Sequence, residues 1–258
     1  MDSSGGSGGG DSSQHTSAIE TAIRQIEEYG DECVANFDVL LGIVAAIDTS
    51  AGVLGDAVLW AVRDDLDTVK EKIDEVLDIA AEVLAHHTPV ISLINISFHW
   101  LEAVKQPVSG MVPTIQQYAT ENLAYWEGTT ANHYKQQILP PQVGAATELS
   151  NKASFISDWL YGIAQDNVEY STGMATLLSD LAGKLAAAIL KAGSIIDIPF
   201  TISDLADVVG ALVQVALENL LTIVERITEA GENVRQIVSD HVDESKFPGG
   251  QWPQAVQG

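Results

Sequence analysis

The stretch Ala124-Tyr125-Trp126-Glu127-Gly128-Thr129-Thr130-Ala131-Asn132-His133-Tyr134 separates two segments with helical periodicity. Proline before it and paired prolines after it mark further interruptions of the helical pattern. Glycine adopts turn dihedrals that side-chain-bearing residues avoid, and an aromatic ring can cap the open end of a helix pair. If this break is a corner, the segments on either side are the arms of a helical hairpin.

Upstream, a short helix is expected from about Thr114 to Tyr125, with Pro107, Gly110 and Pro113 kinking or interrupting the path before it. The segment from Thr88 to Val104 is apolar nearly all round, as a central bundle helix would be. Earlier still, Leu59, Val62, Leu66, Val69, Ile73 and Val76 recur at spacings of three and four. Their opposite face carries Arg63, Asp67, Lys70, Glu71, Asp74 and Glu75, and reads as a solvated face with i,i+4 pairing. A first helix is expected from Ser17 to about Ile47, with Tyr29-Gly30 as a candidate break, and Thr49-Ser50-Ala51-Gly52 as the turn that follows.

Downstream, Pro140-Pro141 marks another interruption, and the pattern Phe155, Trp159, Leu160, Ile163 to Ile189 predicts a helix from Ser150 to about Ala192. Asp197-Ile198-Pro199-Phe200 is expected to end it, with Ser203-Asp204 capping a last helix to about His241. No segment alternates strictly as a strand does. The expected fold is all-α: an elongated bundle of long antiparallel helices with a Trp-x-Gly helical hairpin. Its expected parts are a Gly/Ser tail (1–16), an N-terminal helical hairpin region (17–105), a second helical region in the same bundle (106–242) and a flexible C-terminal tail (243–258).

Charge narrows the function classes. Twelve Lys and Arg against 36 Asp and Glu leave a net charge of -24, which argues against nucleic acid as a partner and predicts repulsion from anionic membranes. The N-terminal Gly/Ser run lacks the basic and apolar regions of a cleaved signal peptide. The single cysteine, Cys33, has no intrachain partner and reads as a small buried residue. His86-His87 would splay about 100 degrees apart on a helix, and HExxH, GxxxxGK[ST] and GxSxG are absent, so no metal, cofactor or enzymatic activity is expected.

Trp126-Glu127-Gly128 between helices, with Tyr134 just beyond, resembles the motif of the WXG superfamily of type VII secretion substrates. The later Trp159-Leu160 is similar to the longer PPE-type relatives. Over about Ser109 to Ala192, the resemblance implies Trp126 and Gly128 at a hairpin turn beside a groove that receives a partner's or the export machinery's signal. It implies a non-enzymatic, secreted or cell-surface protein that is cytoplasmic before export, leaves without a signal peptide and acts through protein contacts in a homo- or hetero-oligomer. One departure stands out. The family's export signal, Tyr-x-x-x-Asp/Glu, is missing at all six tyrosines, whose fourth following residues are Cys33, Asn122, Thr129, Ile138, Gln165 and Met174. PPE-type relatives rely on a second chain, and a partner could supply the signal here.

The alternative reading is a helical pore-forming or membrane-interacting protein that uses an apolar hairpin around residues 185–217. Uninterrupted apolar runs there fall short of the ~20 residues that span a bilayer. Lys184, Lys191, Asp204, Asp207 and Glu218 intrude, so core packing is the simpler expectation for this segment.

Overall fold

The computed structural model describes residues 12–48, 56–117, 123–192, 198–242, 246–247 and 251–253. Among them there is no strand. Four long helices dominate: α1 (Ser12–Asp48), α2 (Asp56–His99), α5 (Leu139–Lys191) and α6 (Ile198–Val242), with the shorter α3 (Gln106–Gln117) and α4 (Thr129–His133) between α2 and α5. The all-α fold read from the sequence is the fold observed. The N-terminal Gly/Ser run before Ser12 and the turn at Thr49–Gly52 lie outside the described residues.

Two compact units emerge, one from Met1–Ile91 with Gln165–Glu225, the other from Ser92–Ala164 with Arg226–Gly258. These units differ from the parts expected at 17–105 and 106–242, because α2, α5 and α6 are each long enough to contribute to both.

The first unit is held by heptad packing. Buried residues of α2 run Val62, Leu66, Val69, Ile73, Val76, Ala80 and Val83, in alternating steps of four and three. In α5, Met174, Leu178, Leu181, Leu185 and Ala188 keep the same alternation, and α1 repeats Ile19, Ile26, Cys33 and Leu40 every seventh residue. Such a repeat keeps one seam of each helix facing its neighbours along the whole length. Burying each Leu or Ile contributes roughly 1.5–3 kcal/mol. Polar links set the register: the Cys33 thiol donates to the Leu178 carbonyl at 3.5 Å, and Asn36 Nδ2 to the Ala182 carbonyl at 3.3 Å. Both partners advance together, so α1 and α5 run parallel here. Leu77 lies 3.6 Å from where a Cβ on Gly30 would stand, which brings α1 close to α2. The charged face of α2 is solvated, with Lys70–Asp74 at 2.7 Å and Lys72–Glu75 at 2.9 Å.

The second unit has a different core. Ala145, Ala146, Ala153 and Ala164 are buried along α5 with Ser157, against Ile94 and Ser97 of α2. Small residues let helix backbones approach closely. Ser157 Oγ donates to the Ser97 carbonyl at 2.8 Å, Lys105 Nζ to Ser154 Oγ at 3.0 Å, and the Phe98 and Tyr161 rings meet edge to face at 6.1 Å. From Ser97–Ser157 to Lys105–Ser154 one partner advances along the chain while the other retreats, the order that antiparallel arms give.

Several expected breaks are absent. Tyr29-Gly30 does not interrupt α1, which begins at Ser12, ahead of the expected Ser17. The segment Thr88–Val104 is no separate central helix: α2 runs straight into it past Pro89, and Ile96 is exposed. Pro107 and Pro140-Pro141 do not stop the chain either, because π-helical turns at Trp100–Lys105 and Tyr134–Ile138 precede them. An α-helix would ask Pro107 to donate to Ala103 with an N–H that proline lacks, and would press its ring against that carbonyl. Widening the turn avoids both costs: the Gln106 N–H reaches back five residues to Leu101, and the Leu139 N–H to Tyr134. Of the expected short helix over 114–125, residues 114–117 are the end of α3, which carries through Pro113, 123–125 form a bend and turn, and 118–122 lie outside the described residues.

At the last turn the expectation also shifts. Ile198 opens α6, Pro199 sits in its first turn where a missing N–H costs nothing, and Ser203-Asp204 lie inside the helix rather than capping it. The described part of the expected C-terminal tail is docked. Gln142 Nε2 donates to the Pro253 carbonyl at 3.0 Å, and the Phe247 and Trp252 rings stand 6.4 Å apart.

Candidate functional site

The corner at Trp126–Tyr134 is built on one unusual backbone conformation. Gly128 has φ 106° and ψ 177°, and it is the only described residue with positive φ. That region is essentially reserved for glycine, because any L side chain there collides with its own backbone. In this conformation the Gly128 carbonyl accepts the first helical hydrogen bond, from the Asn132 N–H at 3.0 Å, and α4 starts. Gly128 carries no side chain to cap α4.

Around that glycine the aromatic pair folds together. The Trp126 and Tyr134 rings lie 5.8 Å apart and tilted by 49°, within the range where aromatic pairs attract. The Trp126 N–H donates to the Leu123 carbonyl at 3.2 Å, closing a turn ahead of it. Lys135 Nζ donates to the Trp126 carbonyl at 2.8 Å, tying the π-helical turn back across the corner. Lys135 was not singled out by the sequence reading, because a lysine nine residues past a turn carries no motif signal. Trp126 keeps 39% of its surface exposed and the neighbouring Tyr125 keeps 93%. Trp126 therefore does not plug a core. The corner presents an aromatic face held from behind by Tyr134 and Lys135.

Trp159 and Leu160 are not brought to this corner. They lie on α5 and are half-buried, roughly 38 Å along the helix from Tyr134 at a rise of about 1.5 Å per residue. The Trp159 indole Nε1 is buried without a hydrogen-bond partner among the described groups. The five residues singled out by the sequence thus fall into two places: Trp126, Gly128 and Tyr134 at the corner, Trp159 and Leu160 beside the Phe98–Tyr161 contact.

The rest of the described chain offers little chemistry. No three His, Cys, Asp or Glu side chains converge as metal ligands among the described residues. His86 and His87 point their Nδ1 atoms at the carbonyls of Glu82 and Leu84, at 2.8 and 2.6 Å. Cys33 is buried, and burial first, then the nearby Glu32 charge, pushes its thiol up to about 12. At neutral pH it is protonated and a poor nucleophile. Tyr170 is likewise pushed up to about 12 by burial.

No family model matches the chain, and neither the curated proteins nor the solved structures give a match.

Proposed function

We propose that this chain is a non-enzymatic type VII secretion substrate or secretion-associated protein of the WXG kind, and that it works through protein contacts at the Trp126–Gly128 corner. The observation that supports the reading is Gly128, whose glycine-only backbone conformation opens α4 beside a half-exposed tryptophan. Tryptophan is large and keeps part of its surface exposed even where it packs. One that offers a rigid, amphipathic face at low entropic cost suits recognition.

The missing Tyr-x-x-x-Asp/Glu signal fits the same reading if a second chain supplies it. The corner is then the surface that chain or the export machinery recognises. Expression in a host with and without a type VII apparatus tests this: the protein is expected in the culture medium only when the apparatus is present. Equal distribution in both hosts would refute the proposal.

A further inference from the structure

A second feature of the first unit lies far from the Trp-x-Gly corner in sequence and does not rest on the secretion reading. In the last turn of α5, Leu190 is 84% exposed; in the first turn of α6, Phe200 is 73% exposed; near the start of α2, Trp60 is 67% exposed. Single exposed apolar residues are ordinary. These three share one end of the unit. The Cys33–Leu178 and Asn36–Ala182 bonds make α1 and α5 parallel, so the C-terminal ends of both point the same way. Short connections, 49–55 and 192–197, then start α2 and α6 at that end.

The helices behind this end are themselves unusual. Gly173 to Leu190 holds only Asp180 and Lys184 as charged residues, and Phe200 to Leu217 only Asp204 and Asp207. Both helices are long and apolar enough to cross a membrane, while only 44% and 33% of their most apolar stretches are buried within the fold.

We propose that the α5–α6 end of the first unit, led by Leu190 and Phe200 with Trp60 beside them, docks into the surface of an uncharged, zwitterionic bilayer. Leucine, phenylalanine and tryptophan at a helix-pair end are the side chains that partition into the headgroup boundary. The net charge of -24 decides between lipid classes, because it opposes approach to anionic headgroups and leaves zwitterionic ones open.

Flotation of the purified full-length chain with phosphatidylcholine vesicles tests this. The wild type is expected to rise with the vesicles, and to do so less with vesicles containing phosphatidylglycerol. The double variant Leu190→Ser, Phe200→Ser, changed only at exposed positions, is expected to lose partitioning by on the order of 100-fold. Leu221→Ser removes an equally apolar exposed residue of α6, 65% exposed but away from this end, and is expected to bind as the wild type does. Circular dichroism confirms that each variant is folded. A wild type that stays at the bottom of the gradient, a double variant that floats normally, or stronger binding to the anionic vesicles would each overturn the proposal. Because flotation needs no secretion apparatus, its failure leaves the export reading untouched.

Discussion

Replacing Gly128 with alanine isolates the backbone conformation on which the corner depends. A Cβ at this position would meet no atom within 4 Å, so steric crowding by neighbours contributes nothing to the outcome. What remains is the intrinsic cost of φ 106° and ψ 177° for an L residue, about 1–3 kcal/mol. Alanine also restricts the unfolded chain, which offsets roughly 0.4–1 kcal/mol of that cost. The net prediction is a destabilisation of up to about 2.6 kcal/mol. Gly183 is the matched control. It lies within α5, is exposed, and a Cβ there also meets nothing within 4 Å. Gly183→Ala gains helix propensity and should stabilise by about 0.5–1 kcal/mol. The same chemical change is therefore expected to act with opposite signs at two open positions. Urea unfolding followed by helical circular dichroism gives both values, and amide exchange at Thr129–His133 shows whether the loss at Gly128 is local to α4. A stabilising Gly128→Ala, of the same sign as Gly183→Ala, would mean that the corner does not hold this conformation.

Other perturbations test the fold and the ionisable groups. Leu181→Ala, at a fully buried heptad position, should cost about 2–5 kcal/mol and lower the thermal midpoint by roughly 2–4 °C per kcal/mol, as read by calorimetry. Pro89→Ala, at an exposed position inside α2, restores a backbone donor and should stabilise by roughly 1–3 kcal/mol in the same assay. The buried Cys33 thiol has its pKa raised from 9.0 to about 12, so the folded state holds its proton where the unfolded state has lost it. That contribution is complete below pH 9 and is lost as pH rises towards about 12. The urea midpoint should fall over this window, less steeply in Cys33→Ala, and the wild-type thiol should resist a disulfide reagent at pH 8 until urea unfolds the chain.

Helix identity was legible in the sequence because the apolar residues recur at three and four. Val62 to Val83 and Met174 to Leu185 both read as buried seams, and both are. Continuity was harder to read. Pro107 and Pro140-Pro141 signal a break by the local rule, yet a π-helical turn ahead of each absorbs the lost donor, and only tertiary support for the long arms makes that widening worthwhile. Ser203-Asp204 looked like a cap because the residue types fit, but Pro199 in the first turn of α6 starts the helix earlier. At the candidate site, Trp126, Gly128 and Tyr134 could be picked out as neighbours because a turn and one helical turn separate them. Lys135 could not, since its partner is a backbone carbonyl. Trp159-Leu160, read as lying in the second helix, are on α5 and far along its axis from the corner.

Export of the wild type beside Trp126→Ala and Gly183→Ala, in a host with a type VII apparatus, tests the central claim most directly. Trp126 is half-exposed and, among the described aromatic rings, meets Tyr134, so its loss should leave the fold intact by circular dichroism. The account predicts that Trp126→Ala stays in the cytoplasm while Gly183→Ala leaves with the wild type. Export of folded Trp126→Ala at the wild-type level would contradict it.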